Sequence, residues 1–322
     1  MFEDLHIASI VVSTIRNAPV LMFAAMAGLF AERSGVVDIG LEGKILASAF
    51  VSAAVAYSTQ NPWYGVAAGV AVSVALAMVQ AFVSITQKGN QLVAGIAINI
   101  AMSGLTFVVA QFFYHQGGRT PDLGEARFGE VILPGADALA NVPFAGWLYG
   151  HVIGGHSVLV YLAFLLVPIV HWVLYHSRFG LRLRACGENP HAADAAGIAV
   201  GKTRYLAMLV AGVLCSFSGA YLSIVQSGFF LRDMSAGAGY LALTALVFGN
   251  WRPLHTVLGC LMFGFFGAVQ IQIEGVDLPV VGRIPGSLIQ MIPYVVTVVV
   301  LAGLMAKSVA PKALGTPFVK SR

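Results

Sequence analysis

The sequence predicts an all-α membrane protein. Composition is the first reason: of 322 residues, 58% are hydrophobic and only 10% charged, where a soluble domain carries roughly 25% charged residues. Periodic length is the second. Apolar runs recur near the ~20 residues that an α-helix needs to cross a bilayer. Charge placement is the third. Nine of the 18 Lys and Arg fall in two stretches, 178–204 and 307–322, both beside apolar runs, which is the pattern of the positive-inside rule. The net charge of +4 is therefore read as membrane orientation, and nucleic acid is excluded as a partner.

Taken in order, the apolar runs give nine expected spans: 8–31, 43–58, 63–86, 92–115, 158–176, 205–226, 236–250, 254–274 and 287–306. The seventh is short and rich in small residues. If 177–204 and the tail after Lys307 are both cytoplasmic, an even number of spans separates them, and counting 236–250 as a crossing satisfies that. The N-terminus then lies outside, the C-terminus inside, and 116–157 is an external loop with an interfacial helix around Ala136–Leu148. Arg16 is expected to snorkel outward from the first span. No cleavable signal peptide is read at the acidic N-terminus.

The count carries a symmetry. Spans one to four begin outside and spans six to nine begin inside, so the halves are inverted about span five. The chain reads as one transmembrane domain, 1–322. Its parts are a first half (1–115), the external loop (116–157), span five with a polar loop (158–204) and a second half (205–322). In corresponding positions stand two Gly-flanked, small-residue segments, 40–56 and 237–250. Such pairs point to a translocation path, or else only permit close helix packing.

The polar loop 178–204 contains a helix signal. Asn189 can cap, Pro190 suits the first turn, Ala192, Ala193, Ala195 and Ala196 favour helix, and Gly197 can end it. A helix that short is not stable alone in water and needs a surface to lie against.

Several chemistries are excluded. The stretch 35–44 resembles a phosphate-binding loop only superficially, because Leu41 stands where Lys is required and Ile45 supplies no hydroxyl. No metalloprotease pattern is present among the eight histidines, and Cys186, Cys215 and Cys260 lack metal-ligand spacing. Neither a catalytic residue nor a metal site is expected. No carboxylate is expected in the middle of a span, which argues against proton-coupled transport. Uncharged polar residues remain, and amides and hydroxyls can bond a neutral, polyhydroxylated solute or simply tie helices together. Asn99, Ser103, Thr244, Gln270 and Gln290 are the candidates for a translocation path.

Three stretches together resemble the permease subunits of ABC importers in the branched-chain amino acid and simple sugar superfamily. The likeness is greatest to its nucleoside-type (BMP-family-linked) permeases. They are ERSGVVDIGLEGKILASAF (32–50), RACGENPHAADAAGI (184–198) and GAGYLALTALVFGNWRP (237–253). Asp38 and Lys44 depart from the pattern, where Asn and an uncharged residue are usual. The resemblance implies a type II ABC importer-like permease with the short helix as a coupling helix. Its coupling residues would be Arg184, Gly187, Glu188, Asn189, Pro190, Ala192, Ala193 and Gly197. It further implies no cofactor on this chain, ATP–Mg being held by a cytoplasmic ATP-binding subunit. A second, paralogous permease subunit, an external substrate-binding lipoprotein and membrane lipids complete the expected partners, in a bacterial or archaeal plasma membrane. Nucleosides lead as solute. Simple sugars such as ribose, branched-chain amino acids, a secondary carrier or channel, and a membrane-embedded enzyme remain as alternatives.

Overall fold

The computed structural model describes residues 7–131, 152–273 and 309–320, with isolated positions between 277 and 299. Its helices are α1 (Ile7–Arg33), α2 (Leu41–Thr59), α3 (Pro62–Ala81), α4 (Gln91–Tyr114), α5 (Val158–His176), α6 (Arg178–Glu188), α7 (Pro190–Ala195), α8 (Val200–Ala220), α9 (Ala238–Phe248) and α10 (Pro253–Ile273). Helices α3 and α8 each end in a π turn, Phe82–Thr86 and Tyr221–Ser227. Two-residue strands β1 (Glu130–Val131) and β2 (His156–Ser157) pair antiparallel, as do Asp277–Leu278 and Gly282–Arg283.

Helix α1 is the axis of the bundle. Between Ala18 and Ala31 its side chains are buried, and the alanines at 18, 24, 25, 27 and 31 keep that cylinder narrow. Helices α5, α8, α9 and α10 pack around it. A second layer is formed by the α2–α3 hairpin, with α8 lying against both. Helix α4 is the outermost element, leaving Ile100, Val108, Phe112 and Phe113 exposed.

Six helical stretches among the described residues are long and apolar enough to cross a membrane: Ser9–Arg33, Pro62–Thr86, Gln91–Tyr114, Val158–His176, Val200–Ser227 and Pro253–Gln272. They match six of the nine expected spans. Two more depart from a simple crossing. Helix α2 has 19 residues but carries Glu42 and Lys44 in its first turn, and protein rather than lipid surrounds most of it. Helix α9 has 11 residues and is about 16 Å long, half of a ~30 Å hydrocarbon core. The segment 236–250 is therefore not a full helical crossing. The expected ninth span, 287–306, and the helix expected around Ala136–Leu148 lie outside the described residues.

Contacts define two ends and a middle. At one end the last residue of α1 meets the turn after α9, where Arg33 donates through Nε and Nη2 to the Trp251 carbonyl at 3.0 and 2.8 Å. At the other end, Thr120 N donates to the Phe230 carbonyl and Leu123 N to the Gly228 carbonyl. Arg16 does not stand free there. It is ion-paired with Glu130 at 3.0 Å and donates to the Gly155 carbonyl. The chain from Phe230 descends without helix to the middle, and α9 completes the path to the α1 end.

Candidate functional site

The middle of the bundle is built where the starts of α2 and α9 meet. Residues 37–43 climb along α4, since Val37 N donates to Gln91 Oε1 and Gly43 N to Asn99 Oδ1. From Gln91 to Asn99 is eight residues, about 12 Å along the helix axis. Helix α2 thus begins well inside the bundle. There the Glu42 carboxylate accepts three bonds from the start of α9: Ser235 Oγ at 2.6 Å, Gly237 N at 2.8 Å and Gly239 N at 2.7 Å. A carboxylate at a helix N-terminus satisfies otherwise orphaned amides and meets the positive end of the helix dipole. Each helix start is thus capped by a side chain from another element, Asn99 for α2 and Glu42 for α9.

Beside this junction lies a cavity of about 370 Å³, lined by Glu42, Asn99, Ser103, Asp233, Ser235 and Tyr240 among others. Asn99 Nδ2 donates to the Ile39 carbonyl and to Tyr240 Oη, and Ser103 Oγ donates to Asp233 Oδ1 at 2.6 Å. Two of the five candidate path residues, Asn99 and Ser103, are therefore brought together. Thr244 does not line the cavity and returns its hydroxyl to the Tyr240 carbonyl of its own helix. Gln270 lies on α10, away from the cavity lining, and Gln290 lies outside the described residues. Several other amides and hydroxyls join helices, as Gln226 does to Asn17 and Gln272 to Ser9.

Glu32, Asp38 and Glu42 belong to the 32–42 stretch between the first two expected spans, as the sequence places them, yet the structure folds that stretch into the bundle rather than leaving it a solvated loop. Each is matched at once. Glu32 is 6% exposed and accepts from Trp251 Nε1 at 2.6 Å. Asp38 and Lys44, both side chains 0% exposed, form an ion pair at 2.6 Å. Glu42 is held as described. The 35–44 stretch is no phosphate cradle, since Asn99 already occupies the Gly43 amide.

The second site is at the α1 end. Ser177 caps α6, accepting from Gly180 N, and Asn189 caps α7, accepting from Ala192 N at 3.0 Å. Gly197 takes φ +81°, donating to the Asp194 carbonyl while Ile198 N donates to the Ala193 carbonyl. That is the Schellman ending that the sequence signalled. Pro190 and Ala193 are buried, and Ala193 packs with Cys186 and Val200. Glu188, Asn189, Ala192 and Gly197 are exposed, so α7 presents a face of small side chains. Gly187 is fixed by close approach: a Cβ there would lie 2.2 Å from the Arg33 carbonyl oxygen. Arg184 turns elsewhere, its guanidinium 4.8 Å from the Tyr175 ring centroid.

The C-terminal segment, which sequence reasoning used only as a charge marker, runs across this apparatus. Ala313 N donates to the Gly187 carbonyl and Gly315 N to the Gly35 carbonyl. Buried Arg204 donates from Nε to the Ser34 carbonyl and from Nη1 to the Thr316 carbonyl. Phe318 packs against the His191 ring, 5.3 Å between centroids. One short strap thus touches α6, α7, α8 and the loop entering α2. Its partners lie more than a hundred residues away, and no local pattern announces them.

Among the described residues no group of His, Cys, Asp and Glu is placed to hold a metal ion. The cysteines are free and buried.

Known proteins bear on these sites. Residues 10–303 match the family described as branched-chain amino acid transport system / permease component. The nucleoside ABC transporter permease protein NupC of Lactococcus lactis is 34% identical over 94% of each chain. The guanosine ABC transporter permease protein NupQ of Bacillus subtilis is 33% identical over 99% of each. The putative glucose ABC transporter permease protein TsgC13 of Haloferax volcanii is 34% identical over 84% of this chain and 79% of its own. Six candidate spans among the described residues, a polar cavity where two helix starts meet inside the bundle, and a family match across most of the chain lead to one assignment. The protein is a multi-pass membrane protein of the branched-chain amino acid transport system permease component family.

Proposed function

We propose that this chain is the membrane-embedded permease subunit of an ABC importer for nucleosides. The junction of α2 and α9 carries the reading. Two helix starts meet head to head inside the bundle, and the cavity beside them offers carboxylate, amide and hydroxyl groups, with Glu42 held by three neutral donors and Asp233 paired with Arg232. Those groups suit the ribose hydroxyls and base edges of a neutral nucleoside. Irregular backbone at such depth is tolerated where it lines a cavity or is buried in protein. Near-full-length identity to permeases named for nucleoside and guanosine transport selects the solute class.

In this reading the chain makes nine crossings in inverted halves, of the type II importer class, with 228–250 as a broken seventh. Its N-terminus is external and its C-terminus cytoplasmic, in a bacterial or archaeal plasma membrane. Helix α7 rests by its exposed small-residue face in a groove of a cytoplasmic ATP-binding subunit, which holds the ATP–Mg. A second permease subunit, a paralogue, completes the path, and an external lipoprotein delivers the solute. The chain performs no chemistry.

The test is uptake of labelled guanosine or uridine by cells carrying the complete transporter. A hydrolysis-dead ATP-binding subunit should abolish uptake. Full-rate uptake under that condition would refute the ABC reading. A sugar importer is the second reading, favoured by the TsgC13 relative. Excess ribose or glucose that displaces the nucleoside would select it.

A further inference from the structure

At the α1 end, on the opposite helices from the path cavity, lies a cavity of about 390 Å³ bounded by Arg33, Arg184, Arg252, His171, His255 and Tyr175. Three guanidinium groups and two imidazoles converge there, and among the described residues no carboxylate lines it. Glu188 is near enough to act on Arg33 but is not part of the lining. Arg33 is braced by the Trp251 carbonyl and by Tyr175 Oη, and Arg184 is stacked on the Tyr175 ring. Buried Nε of Arg184 has no hydrogen-bond acceptor among the described residues. The first turn of α10 adds the positive end of its dipole, since Leu254 and His255 follow Pro253 at its start.

Leu254 lines the cavity, and the two long helices that bound it carry further exposed apolar side chains. Trp172 on α5 is 61% exposed, and Leu254 and Leu258 on α10 are 53% and 66% exposed. An occupant must therefore be anionic at one end and apolar along two transmembrane helices. An acidic protein segment meets the first condition and not the second. We infer that this cavity is a binding site for an anionic phospholipid, its phosphate among Arg33, Arg184 and Arg252 and its acyl chains along α5 and α10. Basic pockets between membrane helices commonly hold such head groups. Trp172 lies four residues before the end of α5, and tryptophans near the ends of spanning helices favour the interface where head groups sit. The inference does not depend on which solute is carried.

The test is native mass spectrometry of the purified full chain after exchange into equal phosphatidylglycerol and phosphatidylcholine. Wild-type protein should retain phosphatidylglycerol preferentially, and Arg252→Gln or Arg184→Gln should each lower that preference about fivefold. Arg252→Lys, which keeps the charge, should largely preserve it. Millimolar inorganic phosphate should not displace the lipid. Equal retention of the two lipids by wild type, or an undiminished preference in both glutamine variants, would overturn the site. So would displacement by inorganic phosphate alone, which would mark a free-anion site. Loss of a co-purified ATP-binding subunit, with lipid preference intact, would assign the cavity to that protein instead.

Discussion

The carboxylate of Glu42 and the amide of Gly239 lie 2.7 Å apart although 197 residues separate them. This contact fastens the start of α2 to the start of α9. Glu42→Ala removes the acceptor of three donors at once, and leaving a buried donor unsatisfied costs roughly 1–3 kcal/mol. The expected result is a lower unfolding temperature in detergent together with loss of nucleoside uptake. Wild-type values for both would show that the junction is not where the two elements are held.

The Asp38–Lys44 pair allows a sharper experiment. Removing one partner leaves an uncompensated buried charge, a loss of about 3–5 kcal/mol, whereas replacing both with neutral groups of similar volume is often nearly neutral. Lys44→Met alone should reduce folded yield strongly, and Asp38→Asn combined with Lys44→Met should recover most of it. Additive losses in the double variant would mean that the two side chains act independently.

The exposed face of α7 should carry the ATP-driven stroke. Ala192→Arg changes that face without entering the core, so the protein should insert normally while ATP hydrolysis no longer drives uptake. Gly187→Ala should fail earlier, because its Cβ would lie 2.2 Å from the Arg33 carbonyl oxygen. Coupled transport by Ala192→Arg at the wild-type rate would remove α7 from the drive.

Deleting residues 311–322 removes the Ala313, Gly315 and Thr316 contacts while leaving every described transmembrane helix intact. Membrane insertion should persist and uptake should fall by at least tenfold. Uptake that survives the deletion would show that the strap is dispensable.

Cys186 offers a reporter beside α7. Burial is the largest influence on its thiol and pushes its pKa above the ordinary value. The neutral thiol is favoured in the folded chain, so the associated stability is complete below the unfolded-state pKa and is lost as pH rises through the folded value. Maleimide labelling at pH 8 should therefore be slow against a denatured control and should accelerate only at higher pH. Rapid labelling at pH 8 would show that the α6–α7 packing opens freely.

What could be read from the sequence divides along a physical line. The α7 helix was legible to the residue, because Asn189, Pro190 and Gly197 act on their own neighbours within a turn. Six spans were legible because apolar length is a local property. The segment 236–250 stood out by its shortness and glycine flanks, but where its helix starts, at Ala238, shows only in the contacts of Glu42 with Gly237 and Gly239. The depth of Asp38 and Glu42 was not legible either, since the donors that hold Glu42 inside the bundle stand 193 to 197 residues along the chain. Asn99 and Ser103 were found as polar residues in an apolar run. Asp233 and Tyr240, which answer them across the cavity, carried no such contrast.

The strap also sets an order of events during synthesis. Arg204 has one acceptor, Ser34, made early, and another, Thr316, made only after every described helix. The helices can enter the membrane as they emerge, but the polar end of the bundle is not closed until the 313–318 strap has followed them. A chain interrupted before the strap would reach the membrane with Arg204 buried and short of one of its two acceptors.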